Sequence, residues 1–251
     1  MEPYVNTNKE QGVGIVEFFH PASNSLPGAV LQQIADSITA FGEDNEVKVI
    51  LLRSGGDRAF CAGASFDELV AINDADSGLA FFTGFSKVIN AIRTVPKFVV
   101  ARVQGKVVGG GVGIAAAADY TLATKHAAIK LSELAVGIGP FVVGPAVERK
   151  MGFAAFSQLT IDAKSFRDAQ WAYERGLYAG IYGNAEEMDQ AINTLLEDLK
   201  SSNPDAMKEL KAIFWKGTED WDQLLVERAG ISGTLVLSDF TRNAINKFKK
   251  K

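Results

Sequence analysis

The chain has 251 residues, 47% of them hydrophobic and 22% charged, which excludes disorder as its main state and suits one large α/β domain or one domain with a small appendage. A single cysteine excludes an internal disulfide, and two histidines beside it argue against a Cys/His zinc site. The formal net charge of −4, the lack of an apolar run near the roughly 20 residues of a membrane span, and the polar start MEPYVNTNKEQ argue against nucleic-acid binding, membrane insertion and secretion, so a cytoplasmic enzyme is expected.

Residues 12–19 alternate, with Val13, Ile15 and Glu17 on one face, and predict a strand. The turn formers of His20-Pro21-Ala22-Ser23-Asn24-Ser25-Leu26-Pro27 predict a loop. Leu31, Ile34, Ala35, Ile38 and Phe41 then recur at helical spacing. Residues 47–52 (VKVILL) read as a buried parallel strand, followed by a glycine-containing loop over 53–63. A short helix is expected over 66–72 and a longer one over 79–93, before a second buried strand over 98–103 (FVVARV). Residues 105–113 are dense in glycine and lead into a tightly packing helix at 114–118; short strands follow at 120–123 and 128–131. Helical patterns fill most of the chain from Val143. The run Lys247-Phe248-Lys249-Lys250-Lys251 reads as a solvated helix end that complements the helix dipole. The order is α/β with mostly parallel pairing. A division near Gly183-Asn184 separates residues 1–183 from a helical segment over 184–251. That segment's apolar face (Met188, Ile192, Leu195, Leu196, Leu199) covers either the chain's own core or a neighbouring subunit.

Two segments share one plan: a buried strand, a loop of small residues, a helix start. One ends in Ala59-Phe60-Cys61-Ala62-Gly63-Ala64-Ser65-Phe66, the other in Gly105-Lys106-Val107-Val108-Gly109-Gly110-Gly111. Small side chains let a ligand approach the backbone, and free N–H groups at a helix start then point at it. Two such turns facing each other offer two backbone donors to one oxygen; equally, the small residues serve tight helix–strand packing. Gly111-Val112-Gly113-Ile114-Ala115-Ala116 also has the outline of a dinucleotide fingerprint. It is not the first strand–helix turn, however, and Glu133 downstream follows only a short strand.

Glu133 is flanked by Leu131, Leu134, Ala135 and Val136. Desolvation there raises a carboxyl pKa and suits a general acid or base; capping the next turn or pairing with Lys130 is the alternative. Asp119 reads as a structural cap or ion-pair partner, His20 and His126 as surface residues, and Cys61 as a small packing residue.

At Ala59-Phe60-Cys61-Ala62-Gly63-Ala64, at PKFVVARVQGKVVGGG with its downstream Asp119, and at the segment from Ala128 through Glu133 to Gly137 and Pro140, the chain resembles the crotonase (enoyl-CoA hydratase/isomerase) superfamily. The HPASNSL loop and residues 161–177 extend the likeness. The resemblance implies a spiral of ββα units with two roughly perpendicular sheets and a C-terminal helical trimerisation segment, assembling as a homotrimer or a dimer of trimers. It implies an acyl-CoA substrate whose thioester carbonyl lies between the backbone N–H groups of Ala64 and Gly110, with Glu133 as proton shuttle. No metal and no separate cofactor is implied, the CoA thioester being the substrate, and neither nucleic acid nor membrane is a partner. Loops 22–26 and 61–67 would hold the CoA part through Asn24, Ser25, Ala62, Ser65, Phe66 and Asp67, with Gly113 and Phe141 against the substrate.

Three departures bear on the chemistry. Hydratases resembling this chain commonly carry two glutamates, and the first of those positions is Gly113 here. Members with one glutamate include double-bond isomerases, so isomerisation is favoured. Hydration, decarboxylation, thioester hydrolysis or acyl-CoA binding without catalysis are the alternatives. Ser65 stands where the family has Asp, and Phe141-Val142-Val143-Gly144 where it has a glycine-rich turn, which puts Phe141 either against the acyl pocket or in the core.

Overall fold

The computed structural model describes residues 2–249, so Lys250 and Lys251 of the terminal lysine run lie outside the described residues. The fold is built around a six-stranded sheet. In chain order it takes β1 (Tyr4–Glu10), β2 (Val13–Phe19), β4 (Val49–Ser54), β7 (Val99–Val103), β9 (Tyr120–Thr124) and β11 (Gly180–Tyr182), which lie side by side in that same order. All neighbours pair in parallel except β1 with β2. The second layer of strands consists of two short sheets: β3 (Ser25–Leu26) beside β6 (Gly63–Ala64), and β10 (Ile129–Lys130), β8 (Lys106–Val108) and β5 (Ala59–Cys61) in that order.

Alternation along the strands sets two apolar layers. Ile50 and Leu52 of β4, with Val99, Ala101 and Val103 of β7, face the main core, which α1 (Gly28–Glu43) covers with Leu31, Ile34 and Ile38. Val49, Leu51 and Val100 face the other way. There α8 (Ala185–Ser201) lays Met188, Ile192 and Leu196 across them. The apolar stripe of α8 thus covers the chain's own sheet. Asn184, at the expected division, is the cap of α8 and accepts a hydrogen bond from the Glu187 N–H.

The remaining helices are α2 (Phe66–Ala71), α3 (Ala75–Thr94), α4 (Gly110–Ala117), α5 (Gly144–Met151), α6 (Phe153–Ile161), α7 (Ala169–Glu174), α9 (Pro204–Phe214), α10 (Trp221–Leu235) and α11 (Asp239–Lys249). Helix α10 runs against α3 with the two backbones in contact: a Cβ added at Gly78 would lie 2.8 Å from Gly233 Cα. Helix α9 is anchored by a buried ion pair. Lys211 Nζ donates to the Asp119 carboxylate and to the Ile92 carbonyl, while Trp215 Nε1 and the Val99 N–H donate to the same carboxylate. Burial pushes the Lys211 pKa down, and Asp119 opposes that shift. Asp119 therefore has the structural role expected of it.

Strands β1 and β11 escape the periodicity of the sequence. β1 (YVNTNKE) is an edge strand with most of its residues exposed, so charge and polarity replace the alternation of an inner strand. β11 has three residues, too few for a period. His126 is exposed as expected, but His20 is half-buried, and its Nδ1 accepts the Ala22 N–H at 3.3 Å. Among the described residues no helix is long and apolar enough to cross a membrane.

Candidate active site

Strands β5 and β8 pair in parallel, Ala59 opposite Lys106 and Cys61 opposite Val107, so the glycine turns that leave them lie side by side. Gly63 takes φ +97°, a left-handed conformation open to glycine, and a Cβ there would lie 3.4 Å from the Val108 carbonyl oxygen. Gly111 packs on Cys61: its missing Cβ would be 2.7 Å from Cys61 Cβ. Burial pushes the Cys61 thiol up to about 12, which makes it an inert packing group. Gly110 is the first residue of α4, so its N–H has no partner inside the helix and stands at the positive end of the helix dipole. Ala64 and Gly110 line one cavity of about 520 Å³.

Glu133 enters this cavity from a third segment. It begins a 3-10 helix (Glu133–Val136) that Gly137 ends in the left-handed conformation. The Glu133 Oε1 would lie 3.2 Å from a Cβ at Gly109, so the bare glycine makes room for the carboxylate. Oε2 is buried and has no hydrogen-bond partner among the described residues. Lys130, the expected partner in the structural alternative, instead sets its Nζ 4.4 Å from the ring centre of Phe166. Burial raises the Glu133 pKa from 4.5 to about 7; the backbone N–H groups of Glu133 and Ser132 pull the other way and do not offset it. Among the described residues it is the sole carboxylate on the cavity wall.

The cavity wall mixes exposed and buried residues. Phe66 and Lys164 on its wall are exposed, whereas Phe85, Ile138, Val142 and Val143 are buried. Helix α3 contributes Phe81, Phe82 and Phe85, and α2 contributes Leu69. Of the residues expected from the sequence, Ser25, Ala62, Ala64, Phe66, Gly110, Glu133 and Phe141 line this one cavity. Four expected residues stand apart from its wall. Asn24 spends its amide on the loop, donating to the Gly55 and Ala59 carbonyls and accepting from the His20 N–H. Ser65 caps α2 by accepting the Glu68 N–H, and Asp67 lies exposed in the first turn of that helix. Gly113 is buried behind Val143: a Cβ at Gly113 would lie 2.5 Å from Val143 Cγ1, and Val143 lines the cavity in its place. The aromatic wall of α3 was readable as Phe81 and Phe85 four residues apart on one helix face. Lys164 and Ser232, which also line the cavity, carried no local signal.

The profile of one protein family, described as enoyl-CoA hydratase/isomerase, matches residues 8–238. Among curated proteins the chain is 27% identical to the short-chain-enoyl-CoA hydratase of Clostridium acetobutylicum, across 97% of this chain and 93% of that protein. It is also 27% identical to the enoyl-CoA hydratase domain-containing protein 2, mitochondrial, of Homo sapiens, across 84% of this chain and 73% of that one. A crystal structure of enoyl-CoA hydratase from Bacillus halodurans superposes with a TM-score of 0.88 at 20% identity, covering 97% of this chain and 99% of its own. One from Mycobacterium avium gives 0.86 at 23% identity, covering 100% of this chain and 97% of its own. These likenesses show a shared crotonase fold. The family match begins in β1, ends beyond α10 and takes in both glycine turns and Glu133: the chain belongs to the enoyl-CoA hydratase/isomerase family.

Proposed function

We propose that this chain is an acyl-CoA enzyme that moves a double bond along the acyl group, with Glu133 carrying the proton. The thioester carbonyl would sit between the backbone N–H groups of Ala64 and Gly110. Removing a proton from the carbon beside a thioester builds negative charge on that oxygen, and preorganised donors in a dry site stabilise the enolate more than the ground state, each by about 3 kcal/mol. Glu133 takes the proton from the carbon beside the thioester of a 3-enoyl-CoA. The double bond shifts, and the same carboxyl returns a proton two carbons further along. A pKa of about 7 lets one group do both near neutral pH. The observation that carries this reading is that Glu133 is the single carboxylate among the described residues of the cavity wall, with Val143 filling the space where a side chain at position 113 would project. Water addition generally needs a second group to position the water.

Hydration is the second reading, favoured by the printed names of relatives such as the Clostridium acetobutylicum protein. Incubating 2-enoyl- and 3-enoyl-CoAs with the protein in heavy water separates the two. Interconversion with deuterium uptake supports isomerisation; a product heavier by one water supports hydration and overturns it. Replacing Glu133 by Gln is expected to lower turnover about 10²- to 10⁴-fold while leaving acyl-CoA binding within a few-fold. Full activity of that variant would remove Glu133 from the mechanism.

We further propose that the chain works as a homotrimer or a dimer of trimers. Phe153 and Ile161 on α6, Ile213 on α9 and Phe240 on α11 are large apolar side chains left exposed on the helices of the second half, which supports burial against other copies.

A further inference from the structure

Glu133 shares the cavity wall with two cations, Lys130 and Lys164. The local fold brings them together. The backbone N–H of Ile129 donates to the Arg167 carbonyl at 2.8 Å, and that of Arg167 to the Ile129 carbonyl at 2.9 Å. This antiparallel bridge clamps β10 to the segment that follows α6. From the bridge one strand of chain runs through Lys130 to Ser132 and Glu133, and the other runs back through Phe166 to Lys164 and Ala163. Residues 130, 132, 133, 163 and 164 all reach the cavity. Lys106 of β8, the strand beside β10, joins them: its Nζ lies 5.2 Å from the centre of the Phe166 ring, against 4.4 Å for Lys130 Nζ. Two ammonium groups thus gather at one phenylalanine, and a third lysine stands two positions before it.

None of these three side chains has an oxygen partner among the described residues. The acidic side chains beside Lys164 in the chain are engaged elsewhere, Asp162 with Arg167 at 2.9 Å and Asp168 with the Trp171 N–H at 2.8 Å. For Lys106 and Lys164, which are exposed, water suffices. Lys130 is half-buried. Every other lysine that is buried or half-buried among the described residues sets its Nζ on a protein oxygen. Lys48, Lys97 and Lys150 use the carbonyls of Asn45, Phe41 and Ala118, and Lys200 and Lys211 the carboxylates of Glu197 and Asp119. Lys130 has only the ring. An ammonium gains less from an exposed ring than from a charge-assisted hydrogen bond, so an anion in the cavity would draw Lys130 to itself.

The place of these lysines says where a ligand would carry its charge. They share a stretch of wall with Glu133, which on the reading above meets the carbons beyond the thioester carbonyl, so the anion belongs to the acyl side. Lys164 is exposed, and a charge can enter this stretch without losing all its water. We propose that Lys130 and Lys164, with Lys106 beside them, form an anion site that reads a second carboxylate at the far end of the acyl group. The inference rests on the acyl-CoA reading and narrows its substrate class to CoA monothioesters of dicarboxylic acids.

Calorimetry with two ladders of saturated acyl-CoAs tests this, one ladder plain and one with a terminal carboxylate, matched in carbon number. Both are titrated into the full-length protein and into the double variant Lys130→Gln/Lys164→Gln. At one chain length the dicarboxylic compound is expected to bind the wild type about five- to tenfold more tightly than its plain partner, with the gap narrowing as salt is added. The double variant, which removes no contact with a protein oxygen, should lose that preference and leave the plain acyl-CoAs unchanged. The phosphates of CoA are the other anions these lysines could meet, and matched acyl-pantetheines, which lack them, separate the two sources. A preference retained in the pantetheine ladder supports the acyl carboxylate. Equal weakening of plain and dicarboxylic acyl-CoAs in the variant, absent with the pantetheines, assigns the lysines to phosphate and overturns the proposal. A preference that survives in the variant, or none at any chain length while plain acyl-CoAs bind, also overturns it and leaves the acyl-CoA reading standing. Failure of every acyl-CoA to bind overturns both.

Discussion

The base proposed at Glu133 would combine two properties that pull against each other: Oε2 of its carboxyl is buried without a hydrogen-bond partner among the described residues, and a neutral-pH base has to ionise. A carboxyl whose pKa rises from 4.5 to about 7 on folding takes up protons as the chain folds, between those two pH values. Stability therefore falls as the pH climbs from 4.5 to 7, and above 7 the ionised group costs the fold at most about 3 kcal/mol. Denaturant unfolding of Glu133→Gln should show a variant more stable than wild type above pH 7, its advantage shrinking as the pH drops toward 4.5. Activity should run the opposite way: kcat/KM of the wild type is expected to fall below a limb near pH 7, where the base is protonated. A limb near 4.5 would mean that water reaches the carboxylate freely. The sequence already pointed to this residue through its apolar neighbours. It gave no sign of whether Lys130 would pair with it, because that depended on Phe166, more than thirty positions away, drawing the lysine elsewhere.

At the level of single elements, the two glycine turns were legible because each follows an unbroken apolar strand, and a dense run of glycine has few uses other than close approach. What lay behind the glycines was not legible. Gly113 reads in one dimension as a vacant catalytic position; in the fold it is the contact point of α4 with Val143, just ahead of α5. Gly113→Ala should therefore destabilise by about 1–3 kcal/mol through overlap with Val143. The double variant with Val143→Ala should recover much of that loss, because the two sites share one small volume. Chemical denaturation of the four proteins in the cycle measures the coupling, and additive effects would refute the contact. Asn24, Ser65 and Asp67 teach the same lesson: proximity in a loop does not say whether a side chain faces the cavity, caps a helix or holds the loop together.

On the scale of the whole molecule, the parallel sheet followed from the continuous apolar runs over 47–52 and 98–103, whereas the stripe of α8 left open whether it covers this sheet or a neighbouring subunit, which the packing of Met188, Ile192 and Leu196 on Val49, Leu51 and Val100 decides. The edge strand β1 did not follow, since an edge is recognisable by what it lacks. The helices after β11 cover this chain's sheet and core through α8, α9 and α10, and several large apolar side chains still face outward. Sedimentation equilibrium is expected to give three or six times the 26.9 kDa chain mass, and a lone 26.9 kDa species would overturn the proposed assembly. One more property follows from where Ser232 sits. The cavity wall draws on residues between Ser25 and Lys164, but Ser232 joins it only where α10 packs on α3, almost seventy positions further along the chain. Occupancy of that cavity and docking of α10 are thermodynamically linked, so addition of an acyl-CoA is expected to slow amide hydrogen exchange in α10.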